Sequence, residues 1–208
     1  MTTSQTTTGL TPQFSPLLAK YTLEEFWALP DPGERYHYDL IGGYLFVVPP
    51  PDPPHGNVDS RLNMSLATFL ASKGKAGNIF HPREAIYTDD TYVEPDMMYV
   101  SDETQSKMGR RRNSADIVFE YKSKSTGIYD RTTKADTYLA LGVPELWLLD
   151  SDTKTIEIRN AVKPTKAAPG EADQSRTWSI RRFGRGEWAT SLVLEGWRVS
   201  VDSIFLDL

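Results

Sequence analysis

Two short stretches carry residues that could do chemistry. In "DIVFEYKSKST", Asp116 to Thr126, an apolar run ends in Glu120 and Lys122. Side chains alternate across a strand, so Ile117, Phe119 and Tyr121 share one face, and Asp116, Val118, Glu120 and Lys122 share the other. The first set looks like core. The second puts a carboxylate beside an ammonium near the strand's C-terminal end, where sites on α/β sheets collect. The stretch "VEPDMMYV" supplies Asp96 from the preceding strand. If the two strands pair, Asp96 and Glu120 converge, and two carboxylates held together call for a cation between them. Mg²⁺ suits such oxygen donors and keeps several waters for chemistry; Mn²⁺ could replace it. The metal would lower the pKa of a bound water and stabilise charge on a phosphoryl oxygen, with Lys122 orienting that water. A plain cross-strand salt bridge on a solvated face is the alternative these residues leave open.

The elements that must position these residues can be read from periodicity and turn chemistry. "YTLEEFWALP" has Thr22 followed three residues later by Glu25, which predicts a capped short helix stopped by Pro30. "RYHYDLIGGYLFVVPP" predicts a hairpin around Gly42 and Gly43, and "PPPDPPHG" a stiff loop. Val58, Leu62, Leu66, Phe69 and Leu70 recur at helical spacing between Asn57 and Lys73, closed by Gly74. "NIFHPREAIYT" and "TYVEPDMMYV" each read as one strand, with a turn at Asp89 and Asp90, before a polar, basic connector over 101–114. A helix over 130–141, a strand at "VPELWLLD", strands at "KTIEIRN" and "TWSIRRF" around a mobile loop over 161–175, and a closing "GWRVSVDSIF" complete the chain. The expected fold is α/β, a mixed central sheet flanked by helices.

The composition narrows the classes. The chain has 208 residues, which suits a single domain over 20–208 after a flexible, Thr/Ser-rich segment over 1–19. No apolar run approaches the roughly 18 residues of a membrane helix, and the N-terminus lacks the basic start and apolar core of a secretory signal. The absence of Cys excludes disulfides and thiolate zinc sites and fits a cytoplasmic location. The net charge of −5 argues against a protein that coats nucleic acid. The charge is uneven, however: between Thr104 and Lys134, eight cations face three acids. That segment is either a solvated basic loop or a surface for a polyanion.

"PD" at Pro95 and Asp96, with "EYK" at Glu120, Tyr121 and Lys122, resembles the signature of the PD-(D/E)XK nuclease superfamily. Together with "YHYDLIGGYLFVVPPPDPPHG", "YDRTTKADTYLALGVPELWLLD" and "GWRVSVDSIF", the chain resembles the Uma-type family of restriction-endonuclease-like proteins over roughly residues 20 to 206. The resemblance implies a restriction-endonuclease-like core. It also implies Mg²⁺ held by Asp96, Glu120 and the carbonyl of Tyr121. Lys122 matches the motif lysine, where Uma-type chains often lack one. Lys134, with Tyr138 one turn later, matches a lysine the family carries on the next helix. Strand periodicity favours Lys122 as the catalytic lysine. Asp39 stands where the family commonly has Glu, so its shorter arm is expected to act through a water or to orient a ligand. His55 matches the family's His after the Pro-rich loop, as a helix cap or as a residue reaching substrate or metal indirectly.

The expected activity is hydrolysis of phosphodiester bonds in DNA by a Mg²⁺-dependent endonuclease, with the 107–112 basic segment on backbone phosphates. The competing readings are a nuclease-fold module that binds nucleic acid or protein with weak or no turnover, and a nuclease for RNA or single strands. A homodimer would suit cutting of both strands.

Overall fold

The central sheet has six strands. In chain order they are β3 (Gly77–Phe80), β6 (Met97–Ser101), β7 (Ile117–Lys122), β8 (Glu145–Asp150), β9 (Thr155–Val162) and β10 (Thr177–Phe183), and in space they lie β10-β9-β8-β7-β6-β3. The structure is a computed structural model describing residues 19–33, 36–50, 55–82, 84–122, 129–163 and 176–208. Most of the expected loose start over 1–19 and of the expected mobile loop over 161–175 lies outside them. Only β7 and β8 pair in parallel; the other pairs are antiparallel, so the sheet is mixed as expected. A second sheet, in the order β2-β1-β5-β4, holds β1 (His37–Ile41), β2 (Tyr44–Val48), β4 (Ile86–Tyr87) and β5 (Tyr92–Val93). A ribbon of β11 (Trp188–Thr190) and β12 (Arg198–Ser200) follows near the C-terminus.

Helices cover both faces of the large sheet. On one face lies α2 (His55–Lys73), following α1 (Leu23–Trp27) in the chain. Its Val58, Leu62, Leu66 and Leu70 pack with Ile117, Phe119, Tyr121 and Trp147. Trp147 stacks on Trp197 at 4.9 Å between ring centroids. On the other face a π-helical turn, Asp130–Lys134, runs directly into α4 (Ala135–Ala140), which follows α3 (Asp102–Met108) in the chain. Ala135 and Tyr138 pack there on Val118, Leu146 and Leu148. Both faces of β7 are therefore buried, and the solvated face considered for Glu120 does not exist. The last helix, α5 (Val201–Ile204), closes the core beside Trp197.

Local signals act as their chemistry dictates. Thr22 and Glu25 form a reciprocal capping box, with Thr22 N–H donating to Glu25 at 2.8 Å and Glu25 N–H to Thr22 at 3.2 Å. Gly42 and Gly43 turn the β1–β2 hairpin with φ of 57° and 84°, left-handed values that favour glycine. Two expectations are corrected. The segments expected to be one strand each are two: β3 then β4, and β5 then β6, with the halves in different sheets. Pro82 and Pro95 sit at the breaks, where a residue without N–H cannot continue a ladder. The connector over 101–114 also carries a helix, α3, capped by Ser101 Oγ on the Thr104 N–H at 3.2 Å.

Glu145, at the start of β8, is completely buried without a cation. It accepts from Trp147 Nε1 (2.7 Å), Asn160 Nδ2 (2.7 Å), Ser191 Oγ (2.6 Å) and the Leu192 N–H (2.7 Å), tying the segment after β11 to the sheet. Replacing it by Ala strands four donors. Glu145→Ala should cost about 3–5 kcal/mol, measured as a lowered midpoint in urea unfolding.

Candidate active site

β6 and β7 pair with Met97 opposite Phe119, so one further step sets Asp96 opposite Glu120. Pro95 has already ended the ladder, which leaves Asp96 at the strand's mouth, partly exposed. Its Oδ2 accepts the Tyr121 N–H at 2.7 Å, and its Oδ1 lies 3.1 Å from His55 Nε2, at the start of α2. Burial is the strongest single influence on this carboxyl and pushes it up. The bond and charge from His55, the Lys134 ammonium and the Tyr121 amide outweigh burial, and the net shift is downward. Asp96 is thus held ionised.

Glu120 points to the α4 side and is 2% exposed. Its Oε1 accepts from Lys134 Nζ at 3.1 Å and from Tyr138 Oη at 2.5 Å. Lys134, 3% exposed, also donates to the Glu94 carbonyl at 3.1 Å and stands 3.8 Å from Asp39 Oδ2. Asp39, on β1, takes the Tyr129 hydroxyl on Oδ2 at 2.9 Å and the Glu94 N–H on Oδ1 at 3.2 Å. Burial, reinforced by the neighbouring carboxylates, pushes the Tyr129 and Tyr138 hydroxyls far up, so both stay protonated donors. One cluster thus gathers Asp96, Glu120, Lys134 and Asp39 from two sheets and a helix.

Lys122 follows Glu120 by two residues on β7, as strand alternation requires, but its ammonium has another partner. Its ammonium pairs with Asp150 Oδ2 at 2.7 Å, the residue opposite it on parallel β8, while Lys134 takes Glu120. Arg131 stands 3.8 Å from the same Asp150 oxygen. In the 107–112 segment, expected to meet backbone phosphates, three of the four cations have acid partners within the chain. Lys107 pairs with Glu103 at 2.6 Å, Arg112 with Glu84 at 2.9 Å, and Arg111 with Asp89.

Sequence reasoning missed Asp59. It accepts the Tyr121 hydroxyl at 3.0 Å and lies 3.3 Å from His81 Nδ1. His81 therefore has a carboxylate partner, though not a metal-binding set. The available signal was spacing: Asp59 is four residues after His55, on the same side of α2. Tyr129 packs on Phe46 at 5.2 Å and adds its bond to Asp39.

The donor chemistry fits a hard divalent ion. Asp96 uses two of about four lone-pair directions that a carboxylate offers. A strand residue directs N–H and C=O to the same side, so the Tyr121 carbonyl faces the edge where its N–H meets Asp96. Among the described residues no group of three or more His, Cys, Asp or Glu could hold a metal ion. Two carboxylates with a carbonyl and water suit Mg²⁺ or Mn²⁺, and fall short of a zinc site.

A mixed sheet that sets two acids at paired strand ends, facing a lysine from the next helix, defines a restriction-endonuclease-like α/β protein. The chain belongs to the Uma2 family, described as "putative restriction endonuclease", whose model matches residues 23–202. Among solved structures it is similar to "a putative nuclease belonging to DUF820" from Anabaena variabilis ATCC 29413. The identity is 17%, the match covers 88% of this chain and 97% of the other, and the TM-score is 0.66. At that identity the likeness speaks for the fold. No curated protein matches the chain. Among the described residues no helix is long and apolar enough to cross a membrane.

The ion network beside the site sets an acid limit on stability. Burial raises the Asp150 and Glu157 carboxyls, but Lys122 and the Thr153 amide at Asp150, and Arg182 and Arg159 at Glu157, more than offset it, so both titrate below their ordinary values. Around pH 4 the folded chain then binds fewer protons than the unfolded chain. The stabilisation is complete above the unfolded values and is lost as pH falls through the lower folded ones. Urea midpoints should fall steeply below about pH 4, and less steeply in an Asp150→Asn, Glu157→Gln double variant.

Proposed function

We propose that the chain is a metal-dependent endonuclease that hydrolyses phosphodiester bonds in DNA. The observation that carries this reading is the convergence on Glu120: register sets it opposite Asp96, and Lys134 bonds it at 3.1 Å. Family membership supports a nuclease-like hydrolase acting on nucleic acid. Asp96 and Glu120, with the Tyr121 carbonyl, would hold Mg²⁺ or Mn²⁺. When bound, the ion supplies a water of lowered pKa and stabilises charge on the phosphoryl oxygen. His55 and the Tyr121 amide keep Asp96 ionised and fixed in orientation. Tyr138 and Lys134 fix the orientation of Glu120. Lys134 also brings a buried positive charge to the place where negative charge develops on phosphate, which makes it the preferred lysine over Lys122. Asp39 and Tyr129 position that lysine rather than touching substrate.

The test is cleavage of supercoiled plasmid with Mg²⁺ or Mn²⁺. The wild-type chain should nick or linearise it. Asp96→Asn and Glu120→Gln should each slow cleavage by about a hundredfold or more, with circular dichroism showing that both fold. Equal cleavage by wild type and Asp96→Asn would remove the site. DNA binding by the wild type without cleavage in either metal would favour a non-catalytic binding module.

A further inference from the structure

On the face that packs α4, one row of residues runs in register across four strands. Glu120 lies opposite Leu148, Leu148 opposite Glu157, and Glu157 opposite Arg182. With strands ~4.8 Å apart, Arg182 stands about 14 Å along the sheet from Glu120. Three guanidinium groups close on Glu157: Arg182 Nε at 2.7 Å, Arg159 Nε at 2.8 Å and an Arg131 terminal nitrogen at 3.3 Å. Lys122 and Arg131 share Asp150 beside them. Among the described residues, four cations in this network meet two acids, a surplus of two positive charges.

One guanidinium is enough to neutralise a carboxylate. Two more around it repel one another, and such an arrangement is relieved by a further anion. Arg159 is spent inside the protein: it is nearly buried and also donates to the Arg131 carbonyl at 2.8 Å. Arg182 and Arg131 are the accessible members, at 69% and 33% exposure. The bond from Arg182 to Glu157 uses one of the five donors of a guanidinium, whose planar fork suits phosphate oxygens. In the 107–112 segment Lys107, Arg111 and Arg112 each have an acid of their own, which leaves a smaller surplus, Arg110, among the described residues.

We infer that Arg131 and Arg182 form the contact for the backbone phosphates of the nucleic acid strand whose phosphodiester lies at Asp96 and Glu120. This rests on the function proposed above and names where that site holds its substrate. At ~3.4 Å per nucleotide along a strand, the row spans about four nucleotides. The contact supplies affinity and orientation without reading bases.

The test separates binding from cleavage. Anisotropy titrations of a labelled short DNA duplex, in EDTA and over a range of salt, compare the wild type with Arg182→Ala, Arg131→Gln and Arg111→Ala. Arg182→Ala and Arg131→Gln should each weaken binding about threefold to tenfold at low salt and flatten the log–log salt dependence by about one. The effect should be equal for duplexes of unrelated sequence, and Arg111→Ala should match the wild type. Glu157 keeps Arg159 and Arg131 when Arg182 is removed, and circular dichroism checks that the variant folds. Unchanged salt dependence in both variants would overturn the inference, as would a wild type that does not bind. If the wild type cleaves while both variants bind normally, this inference alone falls. If binding depends on both arginines but no metal yields cleavage, the inference stands and the nuclease reading falls.

Discussion

The ammonium of Lys134 is the charge on which the pocket depends. Asp39 and Glu120 are both shielded from water, and a buried carboxylate without compensation costs several kcal/mol. The two acids come from different sheets, and Lys134 comes from a helical turn. Lys134 also holds the Glu94 carbonyl, at the point where the chain leaves the small sheet for the large one. The seam between the sheets and the candidate chemistry are thus one electrostatic object. Neither half can be buried at modest cost until the other arrives.

Buried acids in this chain are answered in two ways, and the difference separates framework from working surface. Glu145 is surrounded by an indole, an amide, a hydroxyl and a backbone N–H. Neutral donors fix it in place from four directions, which suits a structural clamp. Glu157 is surrounded by guanidinium groups in excess, and Glu120 by an ammonium beside a second acid. These clusters project charge outward. The overall net charge of −5 conceals that contrast, because some cations, such as Arg111 and Arg112, sit on acids of their own.

Much of this was legible before the fold was seen, where the signal is local. The capping box at Thr22, the glycine hairpin and the apolar stripe of α2 follow from spacing alone. Strand alternation rightly paired Glu120 with the mouth of the sheet and brought Asp96 opposite it. It erred at Lys122, because alternation chooses a face and not a partner. The partner, Asp150, is supplied by a parallel neighbour whose register is set only after the chain has crossed over through α4. The split of the two long strands was marked by Pro82 and Pro95, but apolar patterning on both sides hid it. Which basic residues remain unanswered is likewise a tertiary property: Arg110 to Arg112 read as a cationic patch until Glu84 and Asp89 fold back onto two of them.

The π-helical turn has a consequence for how this chain can change. In an α-helix, residues five apart point about 140° away from each other. A turn closed between residues five apart brings them to the same side. Tyr129 and Lys134 are five apart, and both reach Asp39 Oδ2, at 2.9 Å and 3.8 Å. The widened pitch also leaves Arg131, between them, directed to Glu157. Ordinary α-helical winding over the same residues would swing the tyrosine away from the acid it serves. The winding of the segment is therefore as constrained as its residue types.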